Sequence, residues 1–375
     1  MSNCLAHVCF ISPESLRFSD PDEEMAGGAE RQEVLIGEAL KNRGFEVTFL
    51  CSEAYGNSIT KRNGIEYWAK LPTHYNSYLD AVSNLQKIST VLKEIDADIY
   101  YLRGKPMLCL SLWFLSEIKD KDIIFSISND NNVIPKLLKK NYNLIQYWLY
   151  RIAIQRVDTV LAQTVKQQKI VMEEYNKEAI LVKNIHNSPD ISSVTEHEER
   201  EYILWVGRVE RSQKKPHRFL NLASKLPEKE FILIGPKTEN DQYYSEIMEW
   251  SSQLENVSFL GYVPPQEIME YYNQAQMLVN TSDFEGFPNT FLEAWGYCCP
   301  VISLHYEADG IIEQEAVGKV SGSISAMVND VREISERPKL RNKLGRRARE
   351  YVEEHHSQER IINDIERIIL NHTGN

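Results

Sequence analysis

Short apolar runs alternate with amphipathic stretches along the whole chain. In the first half, the apolar runs predict strands over residues 8–11, 47–50, 99–102, 123–127, 159–162 and 180–182. The intervals between them have the 3.6-residue periodicity of helices, for example over residues 29–43 and 77–94.

The second half repeats this alternation. Strands are predicted over residues 202–206, 230–234, 257–260, 277–280 and 300–303. Helices are predicted over residues 216–225, 243–254, 266–273 and 290–297. Near-continuous apolar strands that alternate with helices predict an α/β fold with parallel sheets covered on both faces.

A domain boundary is expected near residues 187–200. Residues 187–190 have turn chemistry, and residues 192–201 are polar and acidic without a helical or strand period. We therefore predict a first domain over 1–190, a second over 191–355, and a final helix over 356–375 that can cross back to the first. Each half resembles a doubly wound domain, which binds ligands beyond the carboxyl ends of its strands. Two such domains facing each other would enclose a ligand cleft.

Composition narrows the function classes. The 375 residues are 42% hydrophobic and 26% charged, which is typical of a globular protein, and the net charge of −12 argues against nucleic acid as a partner. No apolar stretch approaches the roughly 20 residues of a membrane-spanning helix. The six cysteines form no CxxC pair and no metal-ligand spacing. These features favour a cytoplasmic protein.

The segment over residues 281–295, TSDFEGFPNTFLEAW, concentrates the candidate chemistry. It follows a strand and leads into a helix that Asn289 or Thr290 is suited to cap. The amides of that first turn form a ready phosphate site, and the carboxylates of Glu285 and Glu293 each accept hydrogen bonds from neighbouring hydroxyls. The alternative is a capped surface loop with two solvated glutamates.

Glu285 and Glu293 are eight positions apart, and EGFPNTFLEAWGYCCPVIS resembles the E-x7-E signature of the retaining glycosyltransferases of family 4. Further segments resemble this family in order and position: GGAER (27–31), LRGK (102–105), FSISND (125–130), LAQTVKQQ (161–168), VGRVERSQKKP (206–216) and FLGYVPPQEI (259–268). The resemblance implies the GT-B fold, in which two Rossmann-like doubly wound domains face a central cleft.

The resemblance also implies a role for basic residues after the strand over 202–206. Arg208 and a lysine shortly after it would neutralise the donor diphosphate as it departs, which is electrostatic stabilisation of the leaving group. The spacing leaves both Lys214 and Lys215 open as the partner, and we favour Lys214. Taken alone, the two lysines could equally be a solvated helix start.

Further donor contacts follow from the same resemblance. Glu293 would bind the ribose hydroxyls and Glu285 the transferred sugar. The backbone of Phe287, Pro288, Asn289 and Thr290 would hold diphosphate or sugar oxygens, and Gly261 and Val263 would lie along the nucleotide base. Gly27 and Gly28 would allow close approach to phosphate with an unusual φ, although an ordinary tight turn is the alternative.

The acceptor side is expected in the first domain. Asp130 follows the strand over 123–127, and the resemblance implies that it faces the reacting sugar or acceptor, with Arg103 and Asn129 nearby. The alternative is that Asp130 and the asparagines around it only form a polar turn.

No metal cofactor is expected. Asp20 and Asp22 belong to the run DPDEE, which is typical of an acidic loop rather than of a DxD metal site. Proteins of the GT-B class are similar in using cationic side chains and helix amides in place of a metal.

Residues 136–156 are basic, rich in tyrosine and tryptophan, and helical in period. Such a helix can lie on an anionic membrane surface, which would place the protein on the inner face of the cytoplasmic membrane. The alternative is a domain helix with a solvated basic face.

We therefore predict a retaining transferase that moves a sugar from a nucleotide-diphosphate sugar to a hydroxyl, with UDP favoured and GDP second. A glycan or lipid-linked glycan in surface polysaccharide or lipopolysaccharide synthesis is the expected acceptor. A GT-B epimerase or phosphorylase would need further acid–base residues or a pyridoxal lysine. A non-catalytic sugar-binding relative would lack the charged residues above. A dehydrogenase is excluded because no G-x-G-x-x-G follows the first strand.

Overall fold

The computed structural model describes residues 5–18, 27–56, 58–72, 78–109, 111–112, 121–237 and 241–374. Asp20, Asp22 and residue 77, at the start of a predicted helix, lie outside these ranges. The chain divides into two compact units. Unit 1 comprises Met1–Ile185 and Gln358–Asn375, and unit 2 comprises His186–Ser357.

Unit 1 contains an eight-stranded sheet. Its strands are β1 (His7–Ile11), β2 (Glu46–Ser52), β3 (Ile59–Arg62), β4 (Ile65–Leu71), β5 (Ile99–Arg103), β6 (Asp122–Ser126), β7 (Thr159–Ala162) and β8 (Ala179–Leu181). They lie in the order β3-β4-β2-β1-β5-β6-β7-β8, and every neighbouring pair is parallel except β3 and β4.

The β3–β4 hairpin departs from the all-parallel prediction. Asn63 and Gly64 form its two-residue turn, and both have positive φ, 51° and 78°. An Asn-Gly pair in this conformation suits a tight hairpin because its twist matches that of the strands. The sequence therefore contained a signal for these two strands that the prediction passed over.

Helices cover the sheet of unit 1. They are α1 (Ser15–Phe18), α2 (Gly28–Asn42), α3 (Tyr78–Ile95), α4 (Pro135–Asn141), α5 (Leu144–Arg156), α6 (Val165–Tyr175) and α14 (Gln358–Thr373), which closes the chain. Apolar side chains form one buried cluster on each side of the sheet. Helix α14 adds five isoleucines to one of these clusters: Ile361, Ile362, Ile365, Ile368 and Ile369.

The single helix predicted over residues 136–156 is wrong. The chain forms two helices, α4 and α5, because Asn143 caps the second. The Asn143 side chain accepts from the Gln146 amide at 2.9 Å, and the Gln146 side chain accepts from the Asn143 amide at 3.1 Å. This reciprocal capping starts a new helix at Leu144.

Unit 2 contains a six-stranded, all-parallel sheet. Its strands are β9 (Tyr202–Val206), β10 (Phe231–Ile234), β11 (Val257–Gly261), β12 (Ala275–Asn280), β13 (Val301–Ser303) and β14 (Gly318–Val320), in the order β11-β10-β9-β12-β13-β14. Its helices are α7 (Pro216–Ala223), α8 (Asp241–Ser252), α9 (Pro265–Gln274), α10 (Asn289–Gly296), α11 (Ile311–Gln314), α12 (Ile324–Ser335) and α13 (Pro338–His355).

Both sheets have a point at which the strand order reverses. In unit 1 the reversal lies between β1 and β5, because later strands are added to the sheet on opposite sides of this pair. In unit 2 it lies between β9 and β12 in the same way. Loops that leave the carboxyl ends of such strand pairs diverge and open a crevice, where doubly wound folds bind ligands. The predicted α/β class with two Rossmann-like sheets is confirmed, and unit 2 brings the loops after β9 and β12 together.

Candidate functional site

A chain of buried hydrogen bonds joins the loops after β9 and β12. The Trp205 indole of β9 donates to Thr281 Oγ1 at 2.9 Å, and that hydroxyl donates to the Lys214 carbonyl at 2.6 Å. Trp205 and Thr281 are both buried. Because each group is bonded inside the fold, the backbone at Lys214 is held against the start of the β12 loop.

Both carboxylate oxygens of Glu285 are held by side chains of the loop after β9. Its Oε1 lies 2.6 Å from Lys214 Nζ, and its Oε2 accepts from Gln213 Nε2 at 2.9 Å. The same Gln213 amide also donates to the Phe284 carbonyl. Glu285 is buried, so these partners stabilise a charge that would otherwise be costly to remove from water. Two predicted catalytic side chains, Lys214 and Glu285, are therefore brought into contact.

A second carboxylate of the same loop holds the neighbouring lysine. Asp283 pairs with Lys215 and, at 2.5 Å, with Arg218. Partial burial would raise the pKa of Asp283, but hydrogen bonds from Lys215 and Arg218 outweigh it and lower that pKa. Lys214 and Lys215 thus have different carboxylate partners, and the assignment of Lys214 to the diphosphate stays a prediction.

Helix α10 begins one residue earlier than predicted. Pro288 is its N-cap, so the expectation that Asn289 or Thr290 caps it is wrong. Proline has no side-chain acceptor and makes no capping bond. No side chain of the cap residue thus competes for the amide end of α10, which bears the positive end of the helix dipole.

Glu293 lies in the second turn of α10 and is buried. The Tyr272 hydroxyl of α9 donates to Glu293 Oε2 at 2.7 Å. Phe287, just before the helix, packs on the His356 ring at a centroid distance of 4.8 Å. The Tyr306 hydroxyl donates to the Gly286 carbonyl. Glu285 and Glu293 are therefore both oriented by partners from elements distant in sequence.

Arg208 follows β9 and is the most exposed of these charged residues. Its side chain is half exposed and pairs with Glu210 Oε1 at 3.3 Å. An exposed pair of this kind is weak and can be exchanged for another anion. Arg208 is therefore able to meet a ligand at the carboxyl end of β9.

Two glycines shape the edge of the site along β10 and β11. Gly261 has a φ of +67°, which side chains rarely adopt. A Cβ on Gly235 would lie 2.2 Å from the Gly207 carbonyl oxygen, so only glycine allows that approach. Val263 follows Gly261 and packs partly buried against the core. The contacts predicted for Gly261 and Val263 with a base stay predictions.

The glycine pair of unit 1 differs from expectation. Gly27 is the N-cap of α2 and has a φ of −145°, which is extended backbone. The predicted unusual φ is therefore wrong at Gly27. Gly28 is the first residue of α2. A donor contact from either glycine stays a prediction.

The acceptor-side candidates are engaged within unit 1. Asp130 is buried and binds Lys166 Nζ at 2.6 Å and Gln167 Nε2 at 3.2 Å. Asn129 caps the short 3₁₀ helix that Asp130 begins, so the polar turn considered above is present. Arg103 is buried and donates to Asn184 Oδ1 at 2.6 Å. Roles for these three residues toward an acceptor stay predictions.

One buried carboxyl of unit 1 was not predicted. Glu33 of α2 is fully buried, and Ser12, directly after β1, donates to its Oε2 at 2.5 Å. Burial raises the pKa of Glu33 to about 7, although Lys105 opposes the shift. Lys105 follows β5 and pairs with Glu30 at 3.1 Å. These charges therefore gather at the strand reversal between β1 and β5.

Sequence reasoning also missed the partners that hold the unit 2 site. Gln213, Asp283 and Tyr272 orient the predicted residues but belong to no spacing that identifies them. Asp283 alone had a signal, since it lies in the same loop as Glu285. Within the described ranges, no cluster of three or more His, Cys, Asp or Glu could hold a metal ion. Among the helices that the structure describes, none is both long and apolar enough to span a bilayer.

Two family models match adjoining parts of the chain. The model described as Glycosyltransferase Family 4 matches residues 26–192, and the model described as Glycosyl transferases group 1 matches residues 187–351. An uncharacterized glycosyltransferase of Haemophilus influenzae is 20% identical over 336 residues, which are 81% of this chain and 88% of the relative. The alpha-galactosylglucosyldiacylglycerol synthase of Streptococcus pneumoniae is 28% identical over 162 residues, 41% of this chain and 42% of that protein.

Solved structures resemble nearly the whole chain. Sucrose-phosphate synthase from Thermosynechococcus elongatus has a TM-score of 0.77 at 16% identity, covering 97% of this chain and 98% of its own. HepE of Anabaena, in complex with UDP-glucose, has a TM-score of 0.74 at 15% identity, with 97% and 99% covered. WaaG, a glycosyltransferase of lipopolysaccharide biosynthesis, has a TM-score of 0.67 at 16% identity, with 96% and 99% covered. At these identities the similarity establishes the GT-B fold.

The burial of Glu33 predicts a pH-dependent stability. Between its ordinary pKa of 4.5 and the raised value of about 7, the folded state keeps a proton that the unfolded chain has lost. The stability that protonated Glu33 contributes is fully present below pH 4.5 and is lost as the pH rises through 7. The free energy of unfolding falls by about 3 kcal/mol over this range. Glu33→Gln should therefore flatten the fall in unfolding free energy between pH 5 and pH 8, measured by urea denaturation.

Glu38→Gln is the matched control, because Glu38 lies on the same helix but is partly exposed. It should keep the pH dependence of the wild type. Parallel curves for Glu33→Gln and the wild type would show that Glu33 does not titrate in this range.

Proposed function

The chain belongs to the glycosyltransferases of family 4, and we propose that it transfers a sugar from UDP to a hydroxyl acceptor with retention at the anomeric carbon. The observation that carries this proposal is the pair of buried carboxylates, Glu285 and Glu293, at the β9–β12 strand reversal. Arg208, Lys214 and Lys215 lie in the loop that follows the neighbouring strand β9. A nucleotide-diphosphate sugar needs this combination of cations for phosphate and carboxylates for hydroxyls.

The cations serve the leaving group. As the bond between the anomeric carbon and the diphosphate oxygen breaks, negative charge grows on the diphosphate. Arg208 can exchange its weak pairing with Glu210 for that charge. Lys214, which pairs with Glu285, would be the second cation beside the diphosphate. The amide end of α10 adds a positive dipole. This arrangement stabilises the charge that develops in the transition state.

The proton follows the leaving group. The acceptor hydroxyl forms its bond to the anomeric carbon on the face from which the diphosphate departs, and its proton passes to a leaving phosphate oxygen. The donor itself thus supplies the base. Glu285 would hold sugar hydroxyls and Glu293 the ribose, and the hydrogen bond from Tyr272 to Glu293 Oε2 orients that carboxylate.

The acceptor we propose is a glycan or a lipid-linked glycan of surface polysaccharide or lipopolysaccharide synthesis. Support comes from similar proteins, since one relative is an alpha-galactosylglucosyldiacylglycerol synthase and a structural neighbour acts in lipopolysaccharide biosynthesis. UDP is favoured as the carrier because HepE was solved with UDP-glucose. Synthesis of this kind would take place on the inner face of the cytoplasmic membrane.

The donor proposal predicts a nucleotide preference. UDP should raise the Tm more than GDP, and both more than ADP or CMP, because a ligand stabilises the folded state by RT ln(1 + [L]/Kd). At a hundredfold excess over Kd this is about 2.7 kcal/mol. A thermal-shift series with the four nucleotides measures it. A larger shift with ADP or CMP would contradict UDP as the donor nucleotide.

Arg208 and Glu293 should affect different kinetic constants. Arg208→Ala should lower kcat by about 10²–10³-fold, because Arg208 acts on charge that grows in the transition state. Glu293→Gln should mainly raise KM for the donor, because ribose is held equally in the ground and transition states. The amide keeps an acceptor oxygen for Tyr272. Steady-state release of UDP from UDP-sugars would measure both constants.

Arg211→Ala is the matched control, because Arg211 lies three residues after Arg208 and pairs with Glu246 on the surface. Its kcat and KM should stay within about threefold of the wild type, as for a surface pair. Circular dichroism would show that each variant is folded. Wild-type constants in both Arg208→Ala and Glu293→Gln would show that the assigned donor site is wrong.

Residues 136–156 are proposed to contact an anionic membrane surface. Lys136, Lys139 and Lys140 of α4 are exposed. Each basic residue near such a surface contributes about 1 kcal/mol, so replacing all three by Glu should lower binding to anionic vesicles at least about 100-fold. Vesicle flotation at low salt would measure the loss.

A triple Lys→Glu variant of unit 2, at Lys225, Lys237 and Lys339, changes the net charge equally at exposed sites. It should bind vesicles much as the wild type does. Equal loss in both triple variants would mean that net charge, and not the 136–156 surface, controls the binding.

A further inference from the structure

Helix α5 presents large apolar side chains to solvent. Leu144, Ile145, Trp148, Leu149 and Ile152 are between 40% and 71% exposed. Their spacing of one, four, five and eight residues places them on one continuous face of the helix. We call these five residues the apolar face. Exposed patches of this kind mark a site of interaction.

The fold holds this face outward. The opposite side of α5 is buried in the core of unit 1 through Tyr147, Tyr150, Ala153 and Ile154. The Tyr150 hydroxyl donates to the Asn132 carbonyl at 2.8 Å, which limits rotation of the helix about its axis. A helix that is apolar on all sides is normally buried on all sides. One side of α5 is exposed, so the apolar face has no cover from the part of the chain that the structure describes.

The charge around the apolar face indicates what covers it. Residues 131–157 contain five basic residues, Lys136, Lys139, Lys140, Arg151 and Arg156, and no acidic residue, within a chain of net charge −12. Lys139 lies over the Tyr147 ring at 4.9 Å and Arg151 over the Trp148 ring at 5.4 Å. Cations thus border an apolar strip that has tryptophan at its centre.

A lipid surface fits this arrangement better than a second copy of the chain. A symmetric dimer would place the same residues opposite each other, and ten basic residues would meet, of which, among the described residues, only Arg151 in each copy has a nearby carboxylate, Glu174 at 3.8 Å. An anionic lipid surface offers negative headgroups to the lysines and acyl chains to the leucine, isoleucine and tryptophan side chains. Tryptophan is enriched at that depth of a bilayer.

We propose that α5 lies in the plane of an anionic lipid surface and inserts the apolar face among the acyl chains, while the basic residues of α4 contact the headgroups. This inference rests on the membrane contact proposed above and adds its mode, which is burial of apolar side chains in addition to charge attraction. Insertion would bring a lipid-borne acceptor to unit 1 of the enzyme.

The test uses the full-length protein and vesicles of phosphatidylglycerol and phosphatidylcholine, with and without bromine on the acyl chains. Bromine quenches only tryptophan that reaches its depth. The chain has six tryptophans, so the signal of Trp148 is the difference between the wild type and Trp148→Phe. We expect quenching by brominated lipid in the wild type and its loss in Trp148→Phe, which keeps an apolar ring and should still bind.

A second variant tests the contribution of the apolar face to affinity. Leu144→Gln combined with Leu149→Gln should lower vesicle partition at least tenfold. The binding that remains should be abolished by about 0.5 M salt, because surface charge is largely screened at that concentration. Met248→Gln is the control, because Met248 is an exposed apolar residue on a helix of unit 2. UDP release from UDP-sugar in solution should be unchanged in all these variants.

The outcomes separate the two proposals. If the wild type does not bind anionic vesicles, the membrane contact itself fails. If it binds but Trp148 is not quenched, or the Gln variant binds as tightly as the wild type at low salt, charge attraction stands and insertion is overturned. If sedimentation shows a wild-type dimer that the Gln variant converts to monomer, with no quenching, a second copy covers the face and insertion is again overturned.

Discussion

The pairing of carboxylates with cations in the loops after β9 and β12 is the interaction on which the proposed donor site depends. Glu285 with Lys214, and Asp283 with Lys215 and Arg218, join two loops that are about 70 residues apart in sequence. A charge removed from water without a partner would be too costly to keep. The loops therefore hold each other in place, and the same cations remain within reach of an anionic ligand.

The parallel sheet makes this pairing possible. Because β9 and β12 are neighbours at the strand reversal, their carboxyl ends deliver both loops to the same edge. Buried aromatic hydroxyl and indole groups then orient them, through Trp205 to Thr281 and through Tyr272 to Glu293. The arrangement of the predicted site residues thus depends on the sheet order and on these polar supports together.

Unit 1 has two features that lower the stability of its folded state. It buries Glu33 at its own strand reversal with a pKa of about 7, and it leaves the apolar face of α5 in solvent. Neither feature favours the isolated folded protein, because one removes a carboxyl from water and the other exposes apolar area. Features that cost stability persist where function requires them. For α5, cover by a lipid surface provides a physical reason.

The sequence by itself determined the α/β class, most strand positions and the family, since apolar periodicity and the E-x7-E spacing are local patterns. It also contained the Asn63-Gly64 turn of the β3–β4 hairpin, although the prediction missed it. Tertiary structure decided what depends on contacts between distant residues. It determined that Lys214 pairs with Glu285 and Lys215 with Asp283. It also placed Asp130 against Lys166 and buried Glu33. It also decided which side of α5 faces solvent, because a helix apolar on both sides has no periodicity from which the buried side can be read.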